Sequence, residues 1–145
     1  MQPLIVFIIA GLIGGVAVGL QGPLASIIGQ RLGSLESVFI VHIGGALASG
    51  LLLLGARGGN LGQWQTLPWY TLIAGVFGLI VVSAANFTIP KLGATGTIAL
   101  IVAGQLVIGL MIDHFGLFDI DSRTIDLQRL LGVGVLMVGV YLILR

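Results

Sequence analysis

The sequence predicts an all-α integral membrane protein: five transmembrane helices forming a half-size unit that pairs as an antiparallel dimer with inverted symmetry. Three observations carry that expectation. Of the residues, 57% are hydrophobic and 8% charged, with a mean hydropathy of +1.18. A water-soluble domain has to cover its outside with polar groups and has no use for such a composition. The apolar residues fall into runs of membrane-spanning length, and at roughly 20 residues per span the 145 residues hold about five helices and no extramembrane domain. Finally, the Lys and Arg residues divide evenly between the two sides that five spans define.

The same composition excludes other classes. A net charge of +1 argues for neither nucleic acid nor an acidic partner, and the lack of cysteine removes disulfides, thiol catalysis and thiolate metal sites. No metal-ligand spacing, phosphate-cradling loop or nucleophile–base pair is present, so no catalytic residue, metal site or cofactor is expected. The N-terminal MQPLIVFIIAGLIGG has no Lys/Arg n-region of a secretory signal and is expected to be retained as the first helix.

The first span is expected over about 3–28, with Pro3 suited to a first helical turn. Gly11, Gly15 and Gly19 recur every four residues and form a stripe for close helix packing. Gln21-Gly22-Pro23 interrupts the run. Pro23 cannot donate to the Gly19 carbonyl, which predicts a kink there. A polar connection over Arg31–Glu36 follows, with Ser34 as N-cap and Glu36 in the first turn, where the helix dipole favours an anion. The second span, 37–56, carries His42 and a small-residue surface from Gly44 to Gly50. Trp64, Trp69 and Tyr70 mark the headgroup level at the entry to the third span, 69–89. Pro90, Lys91 and Gly93 make a link so tight that the fourth span, 93–113, must lie antiparallel to the third. The charged segment Gly116–Gln128 is expected to be a solvated loop before the fifth span, 127–144.

In that arrangement Arg57, Arg123 and Arg129 face one side and Arg31, Lys91 and Arg145 the other. An even division specifies no orientation under the positive-inside rule. Copies are therefore expected to insert both ways up and to pair antiparallel, supplying by dimerisation the inverted repeat that many transporters carry within one chain. The alternative is that hydrophobicity gradients or a partner fix the orientation.

No Asp, Glu, Lys or Arg lies deep in any span, so the mid-membrane carboxylate familiar from proton-coupled transporters is missing. The substrate-binding candidates are neutral groups. Gln105 lies near the middle of span four, while Gln21, Asn86 and His42 fall toward one membrane face. Each has a plainer reading. Amides within spans serve as interhelical glue worth about 0.6 to 2 kcal/mol, and His42 can be a neutral histidine bonded to a backbone carbonyl. Asp113 closes a helix at the end where the dipole disfavours an anion. It needs a partner, His114 or Arg129, or it serves with His114 at the mouth of a pathway.

The blocks QGPLASIIGQRLGS, PWYTLIAGVFG and PKLGATGTIALIVAGQLVIGLMIDHFGLF, followed by RLLGVGVLMVGVYLI, resemble the YdcZ-like inner-membrane family of the drug/metabolite transporter superfamily. The likeness covers nearly the whole chain, and AGQL and DHFG in a five-span frame are its specific parts. It implies a multi-pass protein of the bacterial inner membrane that pairs into a ten-helix transporter. It also implies kinship with the small multidrug resistance proteins, which are antiparallel dimers. Those relatives carry a glutamate in their first helix where this chain has only Gln21, so proton-coupled cation export is not carried over. The family's common pattern also has Asn where Ala25 stands.

These residues leave three functions in competition: an exporter of a small organic solute, a passive channel, and a non-transporting scaffold subunit. The expected partners are a second, antiparallel copy of the chain or an oppositely oriented homologue, the lipid bilayer and a small-molecule substrate, with no nucleic acid.

Overall fold

A computed structural model of the chain describes residues 2–145, with side chains from residue 4 onward. The described residues form four α-helices, α1 (Gln2–Leu32), α2 (Ser34–Gly55), α3 (Ala74–Phe115) and α4 (Leu127–Leu144), together with short 3-10 turns. All four are long and apolar enough to cross a membrane. Two compact units emerge, Met1–Pro90 and Lys91–Arg145.

The first helix does not stop near residue 28. It passes through Pro23 and continues to Leu32. Pro23 forfeits one backbone hydrogen bond, but breaking the helix would expose several more backbone groups to hydrocarbon, which cannot satisfy them. The expected polar connection shrinks to one residue. Gly33, at φ 119° and ψ 156°, is the N-cap of α2, and Ser34 is already inside that helix. Helical hydrogen bonds close on either side of the break: Gly33 N–H donates to the Gly29 carbonyl and Ser37 N–H to the Gly33 carbonyl, both at 3.1 Å. Those backbone angles suit only glycine, and a Cβ at this position would also collide with the Glu36 carboxylate.

The aromatic cluster stands at the entry to the third helix, where a 3-10 turn from Trp69 runs directly into α3 and the membrane-length apolar stretch begins at Trp69. Leu61–Thr66 and Trp69–Ile73 are 3-10 turns, with the Trp69 and Tyr70 rings edge to face at 6.2 Å, and α3 proper begins at Ala74. Spans three and four, expected as separate helices, meet within Ala74–Phe115, where two helices join at Gly93, whose φ of 71° and ψ of 169° are not helical, three residues after Pro90. Gly116 ends α3 in the left-handed region, and the segment that follows is tied back where Arg123 N–H donates to the Asp113 carbonyl at 2.7 Å. Asp126 then caps α4, its carboxylate accepting from Arg129 N–H at 2.7 Å.

Candidate functional site

In the first unit the polar side chains of α1, α2 and α3 meet in one cluster. The Ser37 hydroxyl donates to the Ala25 carbonyl across the helix break at 2.7 Å. The Asn86 carboxamide sits against α2: its Oδ1 lies 3.4 Å from the Ser37 hydroxyl and its Nδ2 donates to the Ser34 hydroxyl at 3.3 Å. Gly29 of α1 makes this possible, because a Cβ there would stand 2.8 Å from Asn86 Cγ and 3.1 Å from its Cβ. Gln30 extends the cluster along α1 by donating to the Ser26 hydroxyl at 3.1 Å. Ala25, Val38 and Val82 form the apolar core beside it.

His42 lies elsewhere on α2. Its Nδ1 is 2.7 Å from the Val38 carbonyl, one turn back, which makes Nδ1 the donor and leaves Nε2 as an acceptor. Nε2 looks onto Gly78 of α3, where a Cβ would come within 2.6 Å. Gln21, expected to share a face with Asn86 and His42, is exposed and takes no part in the Asn86 cluster. The stripe of Gly11, Gly15 and Gly19 is open, with no described atom within 4 Å of any Cβ that would be added.

The second unit holds the remaining candidates. Gln105 is exposed on the surface of α3, and its carboxamide has no hydrogen-bond partner among the described residues. Two turns on, Asp113 pairs with Arg129 of α4 at 3.5 Å, so the cation that a carboxylate at a helix C-terminus requires is Arg129. His114 instead packs edge to face on Phe115 at 4.9 Å. The ion pair closes one end of a groove of about 420 Å³ whose other walls include Leu106, Gly109, Gly132 and Leu136. The groove is apolar apart from that pair, so it can hold the hydrocarbon part of a solute and offer a dipole at its end.

Reading the sequence missed Ser26, Ser37, Gly29 and Thr97, and it gave Ser34 an N-cap role where the structure has its hydroxyl accepting from Asn86. Serine and threonine are ordinary in spans, and nothing in their spacing marks those that end up buried. The one usable signal was proximity to Gly33, where two helices must approach each other.

The profile of a family described as "Putative inner membrane exporter, YdcZ" matches residues 6–142, a range that takes in every candidate named above. "Inner membrane protein YdcZ" of Escherichia coli (strain K12) is 36% identical over 81 residues. That alignment covers 56% of this chain and 54% of the relative, so it spans about half the length of the curated protein. No solved structure matches.

Proposed function

The chain belongs to the family described as "Putative inner membrane exporter, YdcZ", and from that premise we propose that it is a carrier exporting a small organic solute as an antiparallel, dual-topology dimer. Membership and four apolar helices make it a multi-pass protein of the inner membrane. In the proposal, α3 crosses twice, reversing at Gly93, which yields five spans and the even division of basic residues. The observation that carries the reading is Gln105. An amide in mid-span with no partner in its own chain is expensive in hydrocarbon, and a solute or a second chain relieves that cost. Two copies in opposite orientation would bring two such amides near the midplane, with His42, Asn86 and Gln21 toward one face of each copy and Asp113 and His114 at a mouth. The open stripe of Gly11, Gly15 and Gly19 supports a second chain as the neighbour it lacks within one copy. That chain is an identical copy or an oppositely oriented homologue.

Deep within the spans lie amides, hydroxyls and an imidazole but no fixed charge, which fits a neutral, hydrogen-bonding solute and a non-enzymatic role. Reconstitution into liposomes tests the proposal. The expected result is saturable, slow solute flux, with a C-terminal tag labelled from both membrane faces in one population. Rapid flux without saturation would make the protein a channel, and a tag confined to one face would remove the antiparallel dimer.

A further inference from the structure

Four polar side chains are buried among the described residues: Ser26 at 1% exposure, Ser37 at 0%, Asn86 at 9% and Thr97 at 1%. They form two pairs, Ser26 with Asn86 and Ser37 with Thr97, each separated by 60 positions. The same shift carries Gly33 onto Gly93, the two helix breaks, with φ/ψ of 119°/156° and 71°/169°. Both combine positive φ with extended ψ, a region that only glycine enters readily. It also carries buried Ala25 onto buried Ala85, Arg31 onto Lys91, Leu32 onto Leu92 and Gly44 onto Gly104.

Each frame therefore reads alike. A buried alanine and a buried polar residue stand eight and seven positions before the break, a base stands two before it, and a buried hydroxyl stands four after it. Shared residues alone would not decide the matter, since apolar helices draw on few residue types and only Ala25/Ala85, Leu32/Leu92, Gly33/Gly93 and Gly44/Gly104 are identical. Composition does not, however, place every buried polar residue and both break torsions in one register.

We propose that 25–44 and 85–104 are two copies of one helix–glycine–helix unit, in which Thr97 stands at the latch position of the second copy without making the bond that Ser37 makes in the first. In the first copy the latch is visible: the Ser37 hydroxyl bonds the Ala25 carbonyl at 2.7 Å. In the second, Thr97 Oγ1 is enclosed without a hydrogen-bond partner among the described residues. An enclosed hydroxyl costs about 1–3 kcal/mol when unpaired, so the same position stabilises the first copy and burdens the second. Past the break the copies diverge. Nine residues on, His42 is matched by Val102, and twelve residues on, Gly45 is matched by Gln105. At ~1.5 Å per residue these positions lie roughly 13–18 Å from the break, near the middle of a bilayer. The shared part builds the break, and the specialised part is the mid-membrane. That last step rests on the transport reading; the repeat itself does not.

The protein has no native cysteine, so single spin labels report depth cleanly in the full-length protein in nanodiscs. Labels at Ile40 and Leu100, each seven residues past its break, and at Leu47 and Val107, each fourteen past, are expected to lie at matching depths within each pair. A mismatch greater than one helical turn, about 5.4 Å, in either pair overturns the repeat. Ser37→Ala is expected to lower the thermal midpoint, because it removes a paired hydroxyl, and Thr97→Val to hold or raise it, because it removes an unpaired one. If Ser37→Ala does not fold, Ser37→Thr, which keeps the hydroxyl, is expected to fold. A Thr97→Val variant destabilised as much as Ser37→Ala overturns the assignment of Thr97 as the unbonded counterpart. None of these readouts requires transport, so their failure is distinct from a failure of the carrier reading.

Discussion

Asn86 and Gln105 carry the same carboxamide on either side of the Gly93 break, and the chain treats them oppositely. Asn86 is nearly buried, bonded to Ser34 and Ser37, with Gly29 cleared out of its way. Gln105 is exposed, without a partner, in the more central position of its segment. Both groups would be costly in hydrocarbon if left alone. The first is paid for by its own fold; the second is left for something outside the chain. A polar group that the fold has already satisfied holds helices together, whereas one left open is available for binding.

The largest expected effect follows from the open amide. Gln105→Leu should lower solute flux at least about tenfold, the loss of roughly 1.4 kcal/mol of transition-state stabilisation. The thermal midpoint should hold or rise, because leucine suits lipid. Flux assays alongside thermal unfolding check this, and unchanged flux would turn Gln105 into packing glue between chains and erase the contrast with Asn86.

Asn86→Leu sharpens the same contrast from the other side. The substitution is close to isosteric but leaves the Ser34 and Ser37 hydroxyls without Asn86, at a cost of about 1–3 kcal/mol. The thermal midpoint should fall, while flux per folded molecule should change far less than in Gln105→Leu. A protein of normal stability that no longer transports would move Asn86 to the substrate side.

Composition and run length made the membrane class and most of the helix positions legible, because hydrocarbon leaves helical backbone as nearly the only choice. Boundaries were harder. Pro23 reads as a kink and Pro90 as the close of a span, yet both sit inside helices, and the breaks are the glycines Gly33 and Gly93. In water a proline often ends a helix; in lipid the lost bond is cheaper than an exposed turn. The sequence places Gly93 in the tight link after Pro90 and Gly33 in the polar connection before α2, but it does not show that their backbone angles, open to glycine alone, make each the break itself. Helix-dipole reasoning called for a cation beside Asp113 and left His114 and Arg129 open; the structure pairs it with Arg129. The neighbours of Asn86 were not, because they depend on which serines face inward at a one-residue reversal.

Gly29→Ala tests whether close approach, more than hydrogen bonding, sets the Asn86 cluster. The new methyl would lie 2.8 Å from Asn86 Cγ and 3.1 Å from its Cβ. The second of these is anchored to backbone, so rotating the amide does not relieve it, and overpacking of this kind costs about 1–3 kcal/mol. In the double variant Gly29→Ala with Asn86→Ala the clash is gone, and the two effects should be markedly less than additive. Simple additivity of the thermal shifts would mean that α1 and α3 do not press on each other at this point.

The smallest effect is expected at the Asp113–Arg129 pair. The partners are 3.5 Å apart, with Arg129 31% and Asp113 38% exposed, so solvent screens the attraction and the contribution should fall within about 0–1 kcal/mol. Arg129→Met removes the guanidinium but keeps the backbone N–H that Asp126 caps, which isolates the ion pair from the start of α4. The thermal midpoint of this variant should lie close to that of the parent, and the difference should shrink further as salt shortens the screening length. A loss of several kcal/mol that salt does not touch would mean that a second chain seals this end of the groove and takes the pair out of water. The open amide at Gln105 and the closed ion pair would then belong to one covered surface, not to two separate features of a single chain.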